Sequence, residues 1–220
     1  VPTLAPGRVL VAGNPVRPGF AATSPAADRA GSASDDRLRL LILGGSQGAR
    51  IFADIVPAAV ALLPAALRAR LAIAQQCRSE DLERVRAAYA AIAQPVELAT
   101  FFDDVPARMA TADLVLARSG ASTVAEVLAL GRPALFVPYA FAADDHQTAN
   151  ARALEEAGAA VVLPQAEASP STLARQLAAL LEDPARRAAM AEAARRLARP
   201  DAAARIADAL DALARGGTAR

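Results

Sequence analysis

Apolar positions fall along this chain in two textures. Short, mostly apolar runs stand at 37–43, 71–75, 96–99, 114–116, 134–138 and 160–163. Runs of that kind, apolar on both faces instead of alternating with polar residues, are what buried parallel strands require. A further short strand is expected at 8–12. Between the runs, apolar residues recur at helical spacing. The spacing predicts helices over 50–63, over 79–93 with Ser79 as cap, and from Val124 to a stop at Gly131. Further helices are expected over 145–157, over 169–181 opened by Ser169-Pro170, over 184–199, and over 201–214 capped by Asp201. Strand and helix alternate through short links, so the chain reads as α/β with a Rossmann-like, doubly wound parallel sheet. Two prolines make 13–18 an extended loop, and 21–36, rich in Ala, Ser, Asp and Gly without periodicity, reads as a loop. The tail from Arg215 is expected to fray, and no internal repeat is visible.

Composition narrows the class. With 220 residues, 54% hydrophobic and 21% charged, the chain folds as one large domain or as half of a two-domain protein. A net charge of +1 gives no basic surface for a phosphate backbone, so no nucleic-acid partner is expected. The single cysteine, Cys77, excludes an internal disulfide and fits a reducing compartment. The longest apolar stretch, 55–67, is too short for a bilayer and carries Pro57 and Pro64. The mean hydropathy of +0.25 comes largely from alanine. The first residue is Val1 rather than Met, which leads us to expect an upstream part.

The chemistry gathers in the turns. The strand at 114–116 ends in Arg118-Ser119-Gly120-Ala121-Ser122-Thr123, small residues feeding a helix N-terminus, where orphan N–H groups and the helix dipole both favour an anion. Glu126, one turn in, is placed to reach a ribose diol. A second glycine turn, Gly44-Gly45-Ser46-Gln47-Gly48-Ala49, leads into the next helix. Its glycine spacing differs from the dinucleotide fingerprint, it lacks a P-loop lysine, and such glycines also serve plain strand–helix packing. Arg17 is the one strong charge of the 13–18 loop and reads equally well as a solvated cation. The acid pairs Asp103-Asp104 and Asp144-Asp145 read as helix caps with solvated neighbours, so no metal site is expected. His146 is the only histidine, no nucleophilic triad assembles, and Cys77 reads as a passive thiol. The loops 13–17, 44–49, 101–104, 118–126 and 139–147 all belong at the C-terminal ends of strands, where open α/β sheets bind ligands. Together they indicate a nucleoside diphosphate joined to a hydroxylated group, without naming a reaction.

GNPVR (13–17), GGSQGA (44–49), FFDD (101–104), RSGASTVAE (118–126) and DHQTAN (145–150), in that order, resemble the C-terminal domain of the MurG family. These bacterial glycosyltransferases add N-acetylglucosamine to lipid I, making lipid II for peptidoglycan. The resemblance covers about residues 13–210. It implies the nucleotide-sugar half of a GT-B fold, in which two Rossmann-like domains face each other across a cleft. By position it implies that Arg17 contacts the nucleotide and that Ser46 bonds the diphosphate. Phe102 stands where the family has an aliphatic residue whose backbone reads uracil. Ala121, Ser122, Thr123, Val124 and Ala125 would hold phosphate and sugar, Glu126 the ribose hydroxyls, and Gln147 the GlcNAc hydroxyls, with His146 beside it.

The resemblance further implies an inverting displacement needing neither cofactor nor metal, with the leaving diphosphate stabilised by helix N-termini. The N-terminal acceptor domain, which would hold the general base, the lipid I contacts and a membrane-facing patch, is expected to precede this chain. The expected location is cytoplasmic, peripheral on the inner membrane, and the isolated chain is expected to bind UDP-GlcNAc weakly with little turnover. Other readings are another GT-B enzyme, such as a glycolipid glycosyltransferase or a UDP-GlcNAc 2-epimerase, and a non-catalytic UDP-sugar subunit working beside a membrane-anchored partner. A Rossmann oxidoreductase fits least, since the fingerprint glycines and ribose acid are misplaced.

Overall fold

β1 (Leu38–Leu43) is the most apolar run after its first residues, and it takes the middle of the sheet. A computed structural model describes residues 9–22, 36–45, 49–142 and 145–215. In it β1 pairs in parallel with β2 (Leu71–Gln76) on one side and β4 (Leu114–Ala117) on the other, with Leu40 opposite Ile73 and Leu114. β3 (Val96–Ala99), β5 (Ala134–Phe136) and β6 (Ala160–Val162) complete a six-stranded sheet in the order β3-β2-β1-β4-β5-β6, every pair parallel. The order reverses between β1 and β4, and at such a switch point the turns leaving neighbouring strands diverge and open a crevice.

Side-chain alternation sorts the core into two layers. Leu38, Leu40 and Ile42 of β1, with Leu114 and Leu116 of β4, face α2 (Arg50–Ala61), α3 (Ala65–Ala69), α4 (Leu82–Ala91) and α8 (Pro170–Leu181). Leu41 and Leu43, with Val115, Ala117 and Phe136, face α1 (Pro18–Ala22), α5 (Val105–Thr111), α6 (Ala121–Ala129), α7 (His146–Glu156) and α9 (Pro184–Leu197). The last helix, α10 (Ala202–Ala214), buries only Ala202 and leaves Leu210 and Leu213 exposed. Among the described residues no helix is long and apolar enough to cross a membrane.

Local sequence explains several boundaries. Ser169 opens α8 with a capping box in which Thr172 stands in for the usual Glu: the Ser169 hydroxyl accepts from Thr172 N–H, and the Thr172 hydroxyl accepts from Ser169 N–H. Pro57 lies inside α2 and has no N–H for the Ala53 carbonyl; Arg84 donates to that carbonyl instead, at 3.4 Å.

Some expectations fail. Residues 9–12 form no strand: Val9 and Val11 are exposed, and a short apolar run without a ladder partner does not hold an extended pairing. Ser79 begins a short 3-10 turn, not α4, and its hydroxyl reaches Glu80; Asp201 precedes α10 without a side-chain cap bond, its carboxylate lying toward Arg205. The extended loop ends at Pro18, which opens α1, and the short α3 and α5 carry too little periodicity to be predicted. The expected loop at 21–36 lies mostly outside the described residues, as do Asp144 and the tail beyond Arg215, for which the sequence predicts fraying.

Candidate functional site

The turn after β4 is shorter than the sequence indicates: α6 starts at Ala121, so Ala121, Ser122 and Thr123 form its first turn and do not precede it. Gly120 takes the position before α6 in extended geometry, and no side chain caps the helix. The helical ladder begins with Val124 N–H on the Gly120 carbonyl, so the N–H groups of Ala121, Ser122 and Thr123 have no acceptor within the helix. Ala121 and Ser122 are exposed, Thr123, Val124 and Ala125 half-buried. A Cβ built on Gly120 would meet nothing within 4 Å, so the space before this N-terminus is open to a ligand. The second turn is similar on its described side: Gly45 has φ +78° with open space around it, and α2 starts after Ala49 without a side-chain cap. Gly44 N–H donates to Gln76 Oε1, whose Nε2 donates to the Thr100 carbonyl, tying this turn to the start of the 101–104 loop. Ser46 lies outside the described residues.

Glu126 is buried, not the exposed helix acid that its polar neighbours would allow. Arg17 reaches it from the N-terminal loop, Nε to Oε1 at 3.0 Å and Nη2 to Oε1 at 2.9 Å, while its guanidinium also lies 5.0 Å from the Phe20 ring centroid. Burial pushes the Glu126 carboxyl above its ordinary value, and Arg17 opposes that shift. Arg17 is therefore an ion-pair partner with its outer side still in solvent, not a free loop cation. Its loop is pinned by Gly13, at φ +92°, where a Cβ would stand 2.8 Å from the Arg199 Cβ. Between this loop and α6 runs a cleft of about 250 Å³ lined by Asn14, Val16, Ala121, Val124, Ala125 and Asn150, among others.

The start of α7 closes the other side. Gln147 accepts the Ser119 hydroxyl at its main-chain oxygen (2.8 Å), and its Oε1 accepts Tyr139 N–H at 3.1 Å. Asn150 Nδ2 donates to the Ser119 carbonyl. Asp145, in left-handed geometry with φ 49°, precedes the helix and accepts the Thr148 hydroxyl. His146 is exposed. Phe102 turns its ring into the core, 4.3 Å from the Arg108 guanidinium, which suits a position read through its main chain. Asp104 precedes α5 without a side-chain cap bond; its carboxylate instead accepts from Arg108, which holds it below its ordinary value. Among the described residues no group of three His, Cys, Asp or Glu comes together as a metal site. Cys77 is buried and its thiol pushed up by burial.

The sequence alone does not mark Arg118, Ser119, Tyr139 and Asn150 individually, although Arg118, Ser119 and Asn150 lie inside its motifs. They brace the site. Arg118 sits between the rings of Phe52 (5.6 Å) and Tyr139 (5.3 Å) and donates from Nη1 to the carbonyls of Val137 and Pro138, each at 2.9 Å. A larger groove, about 1070 Å³, runs along the N-terminal starts of β1, β2 and β3, at the opposite edge of the sheet. It touches Asp104 of the 101–104 loop but no residue of the 13–17, 44–49, 118–126 or 139–147 turns, so the anion-binding chemistry lies at the other edge.

Known proteins resemble this chain in sequence and fold. The sequence matches the family described as "Glycosyltransferase family 28 C-terminal domain" over residues 39–206. It is 50% identical over 209 residues to a Mesorhizobium japonicum protein named UDP-N-acetylglucosamine–N-acetylmuramyl-(pentapeptide) pyrophosphoryl-undecaprenol N-acetylglucosamine transferase, covering 94% of this chain and 55% of that protein. A Rhodospirillum rubrum protein of the same name is 51% identical over 185 residues, covering 80% of this chain and 46% of its own length. The crystal structure of Acinetobacter baumannii MurG superposes with a TM-score of 0.75 at 34% identity, covering 81% of this chain and 53% of that one. The chain thus spans about half the length of the curated relatives it matches, and its fold is the Rossmann-like half of a GT-B glycosyltransferase. It belongs to glycosyltransferase family 28, as a C-terminal domain of that family.

Proposed function

We propose that this chain is the donor-binding half of an inverting glycosyltransferase that moves GlcNAc from UDP-GlcNAc to lipid I, giving lipid II. The observation that carries the reading is three parts joined at the β4–α6 turn and its helix: the uncapped N-terminus of α6, the buried Glu126 of α6 held by Arg17, and Gln147 bonded to Ser119 at the start of α7. Uncapped N–H groups suit the diphosphate, a buried carboxylate suits a ribose diol, and a carboxamide suits sugar hydroxyls. The names of relatives about half identical to the chain point to the same donor.

In the proposed reaction the acceptor hydroxyl attacks the anomeric carbon on the face opposite UDP. The C–O bond to the diphosphate breaks, and the β-phosphate takes the electron pair. Charge grows on the diphosphate as the bond lengthens. The N–H groups of Ala121, Ser122 and Thr123 are fixed before the reaction, so they stabilise that charge without reorganising. Ser46 would add a hydroxyl from the second turn, and the main chain at Phe102 would face the uracil. The acceptor hydroxyl must lose its proton to a base. We assign that role, the lipid I contacts and the peripheral attachment to the cytoplasmic membrane face to the N-terminal half of the whole enzyme.

Calorimetric titration of the chain tests the reading, with UDP-GlcNAc set against UDP-glucose, UDP-GalNAc and NADH. Selective UDP-GlcNAc binding, lost in Glu126→Ala, is the expected result. Equal binding of all three UDP-sugars would undo the sugar assignment, and binding of NADH alone would undo the nucleotide-sugar reading altogether.

A further inference from the structure

The brace around Gln147 uses groups that the proposed chemistry leaves idle. Tyr139 N–H, a main-chain donor, meets the Gln147 side chain at 3.1 Å. A main-chain N–H can only donate, so the side-chain atom facing it must be the carboxamide oxygen, whichever way the amide is otherwise drawn. Gln147 thus spends an acceptor on the protein and keeps its NH₂ group for a ligand. What holds Tyr139 in place is Arg118. One nitrogen donates to two successive carbonyls, Val137 and Pro138, where β5 runs out of sheet, and the guanidinium plane lies between the Tyr139 and Phe52 rings. The next residue, Ser119, donates to the Gln147 main-chain oxygen at 2.8 Å. Two consecutive residues of the β4–α6 turn therefore grip the β5–α7 loop at both ends. The guanidinium sits deep enough for burial to lower its pKa to about 10, and it still carries its charge at neutral pH.

We propose that Arg118 is a positioning residue that fixes the Gln147 carboxamide with its oxygen on the Tyr139 N–H and its nitrogen toward the donor sugar, so that Gln147 meets the sugar through its NH₂ group. The inference rests on the nucleotide-sugar reading above and adds to it the polarity of the sugar contact and the residue that sets it. A sugar oxygen able to accept from an amide is recognised there.

The test compares affinities for UDP-GlcNAc and UDP in the 220-residue chain and its variants, with circular dichroism melting as the check on folding. Arg118→Met keeps an apolar filler between the two rings but removes the donors. It should lower UDP-GlcNAc affinity about fivefold, the scale of one hydrogen bond, and leave UDP affinity within about twofold. Arg118→Lys should recover part of the loss. Gln147→Glu can still accept Tyr139 N–H yet has nothing to donate, so it should lose the sugar preference as fully as Gln147→Ala. In the double variant Arg118→Met/Gln147→Ala the loss should be no larger than in Gln147→Ala alone, because one residue acts through the other. Additive losses, equal losses for UDP and UDP-GlcNAc in Arg118→Met, or a Gln147→Glu chain that keeps its sugar preference would each overturn the proposal while leaving the donor reading intact. A wild-type chain with no preference for UDP-GlcNAc over UDP would overturn both. Amide exchange at Tyr139 without ligand gives a separate readout: it should quicken in Arg118→Met, and unchanged protection there would overturn the brace itself.

Discussion

Arg17 and Glu126 stand 109 positions apart in the chain, and the guanidinium Nε lies 3.0 Å from the carboxylate Oε1. The pair is lopsided: the Arg17 side chain is 60% exposed and that of Glu126 9%. A solvated cation thus neutralises a carboxylate that cannot reach water well by itself. Removing the cation leaves the acid buried and alone, which costs more than an exposed ion pair contributes. Arg17→Ala should lose about 1–2 kcal/mol in urea denaturation at neutral pH. Arg17→Ala/Glu126→Gln should recover part of that, since no orphan charge remains.

The same carboxyl sets a pH dependence. Burial raises its pKa above the ordinary glutamate value, with Arg17 as a partial counterweight. A raised folded-state value means the folded chain binds the proton more tightly than the unfolded one. The stability tied to this group is fully present below the ordinary value and lost as pH rises through the raised one. Donor binding runs the other way, because a protonated carboxyl offers fewer acceptors to a diol. UDP-GlcNAc affinity should therefore fall as pH drops through the raised value, and Glu126→Gln should bind more weakly at neutral pH with a flat profile. Calorimetry over about pH 4 to 7 checks both; a wild-type profile as flat as that of Glu126→Gln would remove Glu126 from the ribose.

Much of this is legible in the sequence alone. The central strands announce themselves because a parallel sheet buried on both faces needs apolar runs, and the run at 114–116 is fully buried, while β3 at the sheet edge carries the exposed Glu97. The small residues from Ser119 to Thr123 are equally plain as the entry to a helix, although the sequence pattern sets the start of α6 three residues too late. Contacts between distant segments are not written in local pattern. Nothing near Arg17 says that its partner is Glu126, and nothing near Gln147 says that Tyr139 N–H occupies its oxygen. Caps misled where a polar side chain found a nearer partner, as Asp104 did with Arg108 and Ser79 with Glu80. The short helices α3 and α5 have too few turns for a periodic signal.

Gly13 offers a test of how the Arg17 loop is seated. At φ +92° an L side chain is strained, and its Cβ would stand 2.8 Å from the Arg199 Cβ, an atom close to the backbone that cannot swing away. Gly13→Ala should cost about 1–3 kcal/mol in denaturant unfolding. It should also weaken UDP-GlcNAc binding, because the loop that carries Arg17 must lift off the α9–α10 junction. Unchanged affinity at reduced stability would mean that the loop takes no part in donor binding.

The central strand gives the contrast between depth and exposure. Leu116 of β4 is fully buried between neighbours on both sides, while Leu210 of α10 is 61% exposed. Leu116→Ala should lose about 2–5 kcal/mol, the combined cost of transfer and cavity. Leu210→Ala in the isolated chain should change stability by less than about 0.5 kcal/mol. Equal losses in urea denaturation would mean that α10 is held by contacts its exposure does not reveal.

Tyr89 and Gln75 carry a hydrogen bond inside the sheet's first layer, Tyr89 hydroxyl to Gln75 Oε1 at 2.7 Å, with both residues essentially inaccessible. Burial pushes the phenol far above its ordinary value, so it stays a neutral donor at any working pH. Gln75 Nε2 is buried without a hydrogen-bond partner, so this carboxamide is already half satisfied. Tyr89→Phe removes the one bond it has and should cost about 1–3 kcal/mol, the penalty for leaving a buried acceptor orphaned. Replacing both partners by apolar groups of similar shape, Tyr89→Phe with Gln75→Leu, should recover most of that loss, since no polar group is then stranded. If the double variant is as unstable as Tyr89→Phe alone, shape and not hydrogen bonding governs this part of the core.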